Sequence, residues 1–521
     1  MPDVGGLMAQ SYPSHRDQLA AFRELANRHR NTAAFIEYGT SAGGRALFAL
    51  EIGNGTRADR AALLVMAGAE ADDLAGPVQA ERFATWLLSA ANADSVKPLL
   101  DRYTVYVIPR LSPDALEGWG RTPRVAPAGN DEKLDRDRDG KVDEDGPEDL
   151  NGDGLITWMR KAEAGGTHIP HPDLPFLMIE ADARKGQVGR YTMHLEGRDS
   201  DGDGRINEDM PGGVNLNRNM TYQYVPYTHE GGIHPFSSPE ARALGKFLFD
   251  RPAILATFTF GPVDNIANPW KIQFPERRGA PNQFLADSVA FATTAARLKP
   301  LLPHSFAGSV KGDVATWAYH HAGRFSFTGP AWTYPELADA NKKGTTFTGE
   351  QARAARAYHW LNANHKAGIV EWTAVGDVEV GGFAPYMLHN PPAAELGTAG
   401  SHNRLLHALL GAFPVMEVAE PTVADLGNGV YRVTLAIRNT GHLPSNAIVA
   451  REIKASPNVV SRATLANGQT LVSGLPVENI REPIPGGGAV ELTYLVAGRG
   501  TVRFEIGSPT FGRRTLTVNL R

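Results

Sequence analysis

Apolar residues near the start of the chain recur first at helical spacing and then in short continuous runs. Leu19, Phe22 and Leu25 follow the capping pattern Ser14-x-x-Asp17, which predicts an amphipathic helix. Patterns typical of buried strands occur at residues 35–36, 47–52, 63–66, 103–108, 253–260 and 325–327. Helical patterns separate most of these runs, so the sequence predicts an α/β domain in which helices cover a sheet.

Two parts of the chain depart from this alternation. Residues 110–237 are rich in Asp, Gly, Asn and Pro, which disfavour regular elements and predict a long ordered loop region. Beyond Pro414, apolar and polar residues alternate in runs such as 431–437, with Gly-rich turns between them. This second pattern predicts a β-sandwich over residues 415–521, after an α/β domain over residues 12–412.

Composition and charge exclude several classes of protein. The 521 residues include 52 Lys and Arg against 57 Asp and Glu, a formal net charge of −5, and without a basic block we expect no nucleic-acid binding. No apolar run reaches the roughly 20 residues that a membrane-spanning helix needs, and the first ten residues lack the features of a signal peptide. The chain has no cysteine, so any metal must use oxygen or nitrogen ligands.

Three acidic segments within the loop region share the pattern Asp-x-Asp/Asn-x-Asp-Gly. Their oxygen-bearing residues are Asp135, Asp137 and Asp139, then Asp149, Asn151 and Asp153, then Asp199, Asp201 and Asp203. Oxygen ligands at alternate positions before a Gly turn suit a hard cation such as calcium. None of the segments has the twelfth-position Glu of an EF-hand, so we expect the closing carboxylate from Asp143, Glu144 or Glu208. The sequence therefore predicts structural calcium, with a solvated acidic loop as the alternative.

The seven residues 213–219, Gly-Val-Asn-Leu-Asn-Arg-Asn, directly follow the third acidic segment. They are similar to the substrate-carboxylate motif of the zinc carboxypeptidase family, typified by carboxypeptidase A. Shorter matches extend the resemblance over roughly residues 12–390, and the acidic segments resemble a calcium-type insertion of a bacterial branch. The resemblance implies a mixed, twisted sheet flanked by helices. It also implies that Asn217 and Arg218 bind a substrate carboxylate, through paired hydrogen bonds from the guanidinium.

The same resemblance places unsuitable residues at the zinc centre. In the family a His-x-x-Glu motif and a distant His hold zinc, and a Glu acts as the general base. Here Glu70 and Asp73 align with the first motif, Phe260 with the distant His and Pro330 with the base. Phe cannot coordinate a metal, and Pro cannot accept a proton. Zinc is therefore doubtful, and no catalytic residue of the family is intact.

Three hypotheses about function follow. The first is a pseudo-peptidase that binds a carboxylate-bearing ligand, such as a peptide or cell-wall peptide end, without zinc hydrolysis. The alternative is an active hydrolase of the family with a site rearranged around Glu70, Asp73 and Asp264. The third is a surface scaffold whose C-terminal sandwich contacts a partner. For Arg218 an internal ion pair is the alternative to ligand binding. The acidic loops and the accessory sandwich suggest an extracellular or periplasmic location.

Overall fold

The computed structural model describes residues 12–57, 59–126, 128–136, 139–210, 212–272, 284–302, 308, 310–335, 349–385, 387–388, 390–397, 400–455 and 458–521. Its helices are α1 His15–Arg28, α2 Ala75–Ser89, α3 Lys97–Arg102, α4 Pro113–Glu117, α5 Pro239–Phe249, α6 Leu285–Leu298, α7 Val314–His320, α8 Gly349–Ala363, α9 Gly400–Leu410 and α10 Ile448–Glu452.

The strands up to residue 383 are β1 Ala33–Thr40, β2 Ala46–Ile52, β3 Ala62–Met66, β4 Thr104–Ile108, β5 Trp158–Ala162, β6 His168–Pro170, β7 Met178–Glu180, β8 Tyr191–Leu195, β9 Ile254–Phe260, β10 Phe325–Gly329, β11 Ile369–Val375 and β12 Val378–Phe383. The strands after residue 415 are β13 Met416–Val418, β14 Thr422–Asp425, β15 Val430–Asn439, β16 Val459–Thr464, β17 Thr470–Ser473, β18 Val477–Ile480, β19 Ala489–Ala497, β20 Gly500–Ser508 and β21 Gly512–Leu520. This arrangement confirms the predicted fold class, a mixed α/β unit followed by antiparallel sheets.

The central sheet has the strand order β1, β2, β4, β3, β9, β10. The pairs β3–β4, β3–β9 and β9–β10 are parallel, while β1 and β2 form an antiparallel edge. Every residue of β3, β4, β9 and β10 is buried, as expected for parallel strands covered on both faces. Parallel pairing also brings the carboxyl ends of β3, β9 and β10 to the same edge of the sheet.

Alternate residues of β3 enter two separate buried clusters, one on each face of the sheet. Leu63 and Val65 belong to the cluster that contains residues of α2, and Leu64 and Met66 belong to the cluster that contains residues of α5 and α7. Because successive strand side chains point to opposite faces, a continuous apolar run is the sequence signature of this burial. The runs at 63–66 and 253–260 therefore predict the two strands that carry the site at their ends.

Serine caps are formed at the starts of α1 and α5, where the sequence predicts them from Ser14-x-x-Asp17 and from Ser238 before Pro239. Ser14 Oγ accepts a hydrogen bond from the Asp17 amide at 3.2 Å, and Ser238 Oγ accepts one from the Ala241 amide at 3.1 Å. Each hydroxyl satisfies an amide that has no partner within its own helix. The sequence patterns at both positions are confirmed.

The loop region 110–237 contains more regular structure than the sequence indicates. Strands β5 to β8 form a six-stranded antiparallel sheet with β11 and β12, in the order β11, β12, β5, β8, β6, β7. The prediction of a region without regular elements was wrong for this part. These strands have three to five residues and are mostly half-buried or exposed, so they lack the apolar runs that marked the central sheet.

Two antiparallel sheets pack face to face after residue 415. One has the order β13, β15, β19, β17, with β14 also paired to β15, and the other has the order β18, β16, β20, β21. Tyr494 of the first sheet donates its hydroxyl to Ser461 Oγ of the second at 3.0 Å and packs against Phe504. The boundary near residue 415 itself remains a prediction.

The chain segment that joins β15 of one sandwich sheet to β16 of the other also contacts the α/β unit. The buried carboxylate of Asp287 on α6 accepts hydrogen bonds from the amides of Ile448 and Val449 at 2.9 and 3.1 Å. It also accepts the hydroxyl of Tyr319 at 2.8 Å. Val449 and its neighbour Ala450 belong to the same buried cluster as the central sheet. The short helix α10 is therefore part of the core of the preceding unit.

Candidate functional site

The candidate site lies at the carboxyl ends of β3, β9 and β10. Glu70 is four residues beyond the end of β3, Phe260 is the last residue of β9, and Pro330 directly follows β10. Gly329 is paired with Phe260 in the parallel register, so the ends of β9 and β10 are adjacent. The structure thus brings together the strand ends that the resemblance assigned to a zinc centre, which is also where ligands bind in open α/β sheets.

The carboxylate of Glu70 lies between the side chains of the 213–219 motif. Its Oε1 accepts a hydrogen bond from Asn215 Nδ2 at 3.0 Å. Its Oε2 accepts one from Asn217 Nδ2 at 2.8 Å and one from Arg218 Nη1 at 3.0 Å. We call Asn215, Asn217 and Arg218 the carboxylate clamp. The clamp holds a carboxylate of the protein's own chain, as the ion-pair alternative for Arg218 anticipates.

Local hydrogen bonds fix the orientation of the clamp. Asn215 caps the short 3-10 helix Leu216–Arg218, since its side chain accepts from the Asn217 amide at 3.0 Å. Asn217 Oδ1 in turn accepts from the Val314 amide, the first residue of α7, at 3.0 Å. With its oxygen held in this way, the Asn217 side chain presents its Nδ2 donor to Glu70.

A second carboxylate, that of Glu230, also lies beside Arg218. Glu230 Oε2 is 3.6 Å from Arg218 Nε and accepts from Asn215 Nδ2 at 3.3 Å. Burial lowers the pKa of the Arg218 guanidinium, but Glu70 and then Glu230 outweigh it, and the pKa lies above its ordinary value. Burial raises the pKa of the Glu230 carboxyl, and Arg218 opposes that rise. Arg218 therefore has two carboxylates within ion-pair distance of its single positive charge.

Asp73 accepts a hydrogen bond from the first turn of helix α2. Its Oδ1 accepts a hydrogen bond from the Gly76 amide at 2.8 Å, and a side chain added at Gly76 would contact both Asp73 and Phe260. Asn390 covers the same turn, because its Oδ1 accepts from the amides of Leu74 and Ala75 at 2.9 and 3.1 Å. The carboxylate that aligns with the Glu of the zinc motif thus lies next to Phe260 and satisfies a helix terminus.

Phe260 and Pro330 are both buried within the core. The Phe260 ring is fully buried and contacts Phe258 and His402, with ring centroids 5.0 and 5.3 Å apart. His402 comes from α9 and is itself buried, and its Nε2 lies 3.3 Å from the Pro330 carbonyl oxygen. An imidazole does reach this strand end from a distant segment, but it packs against an aromatic ring.

The donor set at the strand ends does not fit zinc. Phe260 offers a hydrocarbon ring and Pro330 offers no side-chain donor, while the Glu70 oxygens accept from two amides and a guanidinium. Among the residues that the structure describes, the three or more closely spaced His or acidic ligands of a metal site occur only at Asp199, Asp201 and Asp203. A catalytic zinc needs three protein ligands with an open position, so no step of the family reaction can be assigned here.

Asp264 lies near the end of β10, and its side chain accepts hydrogen bonds from the turn that follows it in the chain. Its Oδ1 accepts from the amides of Ile266 and Ala267 at 3.1 and 2.8 Å, and its side chain is buried. Within the described chain, Glu70, Asp73 and Asp264 do not come within the mutual distance that a shared cation requires. Each of the three instead satisfies separate backbone or side-chain donors.

The three acidic segments, here loops 1, 2 and 3, share one hydrogen-bond scheme. In each loop the first Asp accepts from the amide of the Gly in sixth position, at 3.1, 2.7 and 2.9 Å. The Asp in fifth position accepts from the amide two positions later, at 2.7, 2.9 and 2.8 Å. Asp137 of loop 1 lies outside the described residues. The repeated sequence pattern therefore corresponds to a repeated backbone conformation.

An acid from outside each loop holds the loop closed by accepting from the amides in its second and ninth positions. For loop 1 it is Asp209, which accepts from Arg136 and Asp143 at 2.9 and 2.8 Å. For loop 2 it is Glu196, which accepts from Leu150 and Thr157 at 2.8 and 2.9 Å. For loop 3 it is Asp145, which accepts from Ser200 and Asn207 at 2.9 and 2.8 Å.

Glu144 and Glu208 occupy the tenth positions of loops 1 and 3. Their four carboxylate oxygens are buried and accept no hydrogen bond from any described residue. Burial, with further contributions from neighbouring acids, raises the pKa of both glutamates to about 7. Asp143 has one buried oxygen of the same kind, and its other oxygen contacts Lys133. Sequence reasoning proposed these three acids as closing ligands.

Sequence reasoning missed the supporting residues of both regions. Asn215 is visible within the 213–219 motif, but Glu230, Asn390 and His402 carry no sequence signal that links them to the strand ends. Asp145 and Asp209 do carry one, because each follows a Glu at the same offset from the first Asp of its loop. The repeat thus extends further than the part used for the prediction.

Comparison with known families supports the resemblance over part of the chain. Residues 19–125 match the model of the family described as zinc carboxypeptidase, and residues 415–519 match a domain of unknown function (DUF8731). The first match confirms the resemblance to zinc carboxypeptidases, and it includes Glu70 and Asp73. No curated protein matches the chain.

Several solved structures are similar to this chain. Bovine thrombin-activatable fibrinolysis inhibitor, in complex with a tick carboxypeptidase inhibitor, is 12% identical over 77% of this chain and 96% of its own, with a TM-score of 0.38. Carboxypeptidase A from Helicoverpa armigera is 12% identical over 76% and 74%, with a TM-score of 0.39. A metallo-carboxypeptidase from Burkholderia cenocepacia is 14% identical over 76% and 69%, with a TM-score of 0.35. At these values the similarity does not bear on function.

One finding bears on membranes. Among the helices of the described residues, none is both long enough and apolar enough to cross a bilayer.

Proposed function

We propose that this protein is a pseudo-peptidase, which binds a carboxylate-bearing ligand and does not hydrolyse peptide bonds through zinc. The supporting observation is that the clamp already binds a carboxylate, that of Glu70, through three hydrogen bonds of 2.8 to 3.0 Å. The clamp is thus oriented for this group before any ligand arrives, which lowers the cost of ordering on binding.

A ligand binds by taking the place of Glu70. Arg218 already faces Glu70 and Glu230, so a third carboxylate added beside them would be repelled. The Arg218 side chain is 31% exposed and the Glu70 side chain 13% exposed, so the pair lies near the surface and its exchange does not require the core to open. We therefore expect weak binding by the native protein, because the internal carboxylate competes with the ligand.

The absence of hydrolysis follows from the chemistry of the strand ends. Activation of water by zinc requires imidazole or carboxylate ligands that are free to coordinate the metal, together with a base. Glu70 is engaged by the clamp, Phe260 and Pro330 have no suitable group, and Asp73 Oδ1 accepts from the Gly76 amide. The end of a peptide or of a cell-wall peptide is the ligand class that we propose.

The test compares Glu70→Ala with the native protein in binding a short peptide that has either a free carboxylate or an amide at its C-terminus. Removing Glu70 leaves the clamp unoccupied, so the variant should bind the free-carboxylate peptide at least tenfold more tightly than the native protein. The amidated peptide should show no such gain. Calorimetry or fluorescence anisotropy measures both affinities.

Two further variants serve as controls. Adding Arg218→Ala to Glu70→Ala should abolish the gain, because the guanidinium is the charged donor of the clamp. Glu379→Gln removes an acid that also pairs with an arginine, Arg160 at 2.9 Å, but it lies on β12 in a different sheet, and this variant should bind as the native protein does. Equal affinities of Glu70→Ala and the native protein for the free-carboxylate peptide would refute the proposal.

The acidic loops and the location of the protein complete the proposal. We propose that calcium stabilises the loops, because Asp199, Asp201 and Asp203 bring their oxygens within 4.8 Å of one another and calcium prefers such ligands. The extracellular or periplasmic location remains part of the same proposal. So does an unidentified partner of the C-terminal sandwich.

A further inference from the structure

The charges around Arg218 do not balance. Its guanidinium lies 3.0 Å from Glu70 Oε2 and 3.6 Å from Glu230 Oε2. Burial lowers the pKa of the guanidinium, while these two acids and then Asp72 raise it. Arg218 therefore faces more negative charge than its single positive charge neutralises.

A second guanidinium near Glu230 does not restore the balance. Burial lowers the pKa of Arg136, and Asp209 and then Glu230 oppose that fall. The Arg136 guanidinium donates its hydrogen bonds to backbone carbonyls. Because Asp209 offsets the charge of Arg136, the excess of negative charge beside the clamp persists.

Glu230 is held beside the clamp and is accessible from solvent. Its backbone carbonyl accepts a hydrogen bond from the Asn215 amide at 2.9 Å, and its Oε2 accepts one from Asn215 Nδ2 at 3.3 Å. The next carbonyl, that of Gly231, accepts from Asn219 Nδ2 at 2.7 Å. The Glu230 side chain is 40% exposed, and no described residue donates a hydrogen bond to its Oε1. This oxygen is available as an acceptor for a ligand.

A ligand that brings only a carboxylate increases the imbalance. Its carboxylate takes the place of Glu70 at the clamp, but the charge of Glu70 remains nearby. A ligand that also brings an ammonium offsets the added charge and can donate to Glu230. An α-amino acid carries both groups on one carbon. It can therefore contact Arg218 and Glu230 together, since these two side chains lie only 3.6 Å apart.

We propose that Glu230 is a specificity-determining residue, and that the ligand is an amino acid with both its α-carboxylate and its α-ammonium free. The carboxylate binds the clamp and the ammonium donates to Glu230. The α-nitrogen of such a ligand carries no acyl group, so it presents no peptide bond there to hydrolyse. The inference rests on the proposed function, because it assigns the ligand of the same clamp. A free amino acid offers this chemistry, and so does a peptide side chain that ends in one.

The experiment compares two isomers by calorimetry with the full chain. In Nε-acetyl-lysine the ammonium is next to the carboxylate, whereas in Nα-acetyl-lysine it is at the far end of the side chain. The native protein and Glu70→Ala should both bind the first isomer about tenfold more tightly than the second. The Glu70→Ala variant provides the measurement if the native protein binds too weakly for calorimetry.

Glu230→Gln tests the residue in both backgrounds. Its amide oxygen can still accept from Asn215, so the fold is retained, but it should bind the two isomers within about twofold of each other. The matched control is Glu379→Gln, which removes an acid that is also paired with an arginine and is 37% exposed. It should keep the native preference. Circular dichroism checks that each variant is folded.

Alanine distinguishes the two sources of the ligand. If Glu70→Ala binds alanine as tightly as Nε-acetyl-lysine, the ligand is a free amino acid. Much weaker binding of alanine indicates the end of a longer side chain, and either result supports the inference.

The remaining outcomes separate this inference from the proposed function. Equal affinity of Glu70→Ala for the two isomers, or a preference that persists after Glu230→Gln, would overturn the role of Glu230 and leave the clamp as a carboxylate site. Failure of Glu70→Ala to bind either isomer would overturn this inference alone if the variant still bound the free-carboxylate peptide, and both claims if it did not. Alanine amide bound as tightly as alanine would also overturn both, since it has no carboxylate for the clamp.

Discussion

Glu70 Oε2 lies 3.0 Å from Arg218 Nη1. By the resemblance to zinc carboxypeptidases, the first residue stands where a zinc histidine is expected and the second where the substrate carboxylate binds. On that alignment Glu70 would replace a metal ligand, and its carboxylate fills the adjoining carboxylate clamp. The charge that arrives with Glu70 is neutralised locally by Arg218, which explains how a carboxylate is tolerated at this half-buried strand end.

The Glu70–Arg218 pair should contribute to stability. Glu70→Ala leaves Arg218 without its main partner and removes three hydrogen bonds, so we expect the free energy of unfolding to fall by about 2 kcal/mol. Urea denaturation measures the change, with Glu379→Gln as the surface control at about 0.5 kcal/mol or less. An unchanged melting temperature together with loss of a hydrolytic activity would instead support the rearranged hydrolase.

Phe260 should behave as a core residue. Its ring is fully buried between Phe258 and His402, so Phe260→Ala leaves a cavity and should cost about 4 kcal/mol of stability. Phe260→Leu keeps most of the volume and should cost less than half as much. Thermal or chemical denaturation distinguishes them, and a Phe260→Ala variant as stable as the native protein would contradict the packing described.

Glu240 should make stability depend on pH. Its buried carboxylate accepts from the Ala42 amide and from Asn130 Nδ2 at 3.0 and 2.8 Å, and burial raises its pKa from 4.5 to about 7. The folded state therefore binds the proton more tightly than the unfolded state. The resulting stabilisation is complete below about pH 4.5 and is lost as the pH rises through about 7.

The difference between the native protein and Glu240→Gln isolates this effect. Between pH 5 and pH 8 the free energy of unfolding of the native protein should fall by about 2.5 kcal/mol more than that of the variant. Glu37→Gln, at a half-exposed position of β1, should keep the pH dependence of the native protein. Parallel curves for the native protein and Glu240→Gln would show that Glu240 does not titrate in this range.

Asp287 should link the α/β unit to the segment between the sandwich sheets. Asp287→Ala leaves two backbone amides and the buried Tyr319 hydroxyl without their acceptor, at a cost of about 3 kcal/mol. Asp250→Ala, at an exposed position directly after α5, is the control. For the same reason, deletion of residues 415–521 should destabilise the remaining chain, and a truncated protein with the native melting temperature would contradict this view.

The sequence predicts the features that depend on local pattern. The runs at 63–66 and 253–260 are continuous and apolar, so they identify β3 and β9, and serine caps mark the starts of α1 and α5. Strands β5 to β8 are not predicted from the sequence, because each is only three to five residues long and most of its residues are half-buried or exposed. Their stability derives from pairing with β11 and β12, a contact between distant parts of the chain.

The candidate site likewise combines features that the sequence predicts with features that it does not. The resemblance picks out Glu70, Asn217 and Arg218 individually, but their contact joins residues that are 147 and 148 positions apart, and no periodicity encodes it. The acidic loops are predictable because their oxygen-bearing side chains alternate within a few residues. The hydrogen bonds of Asp145 to loop 3 and of Asp209 to loop 1 depend on how the two loops pack, which no local sequence pattern indicates.

Elemental analysis of the purified full-length protein, with calcium and zinc quantified per chain, tests the central claim most directly. We expect less than a tenth of a zinc ion per chain even after incubation with excess zinc and removal of the unbound metal, because Glu70 is held by the clamp and Phe260 and Pro330 cannot coordinate. One tightly held zinc per chain, with cleavage of C-terminal residues that a chelator abolishes, would contradict the account.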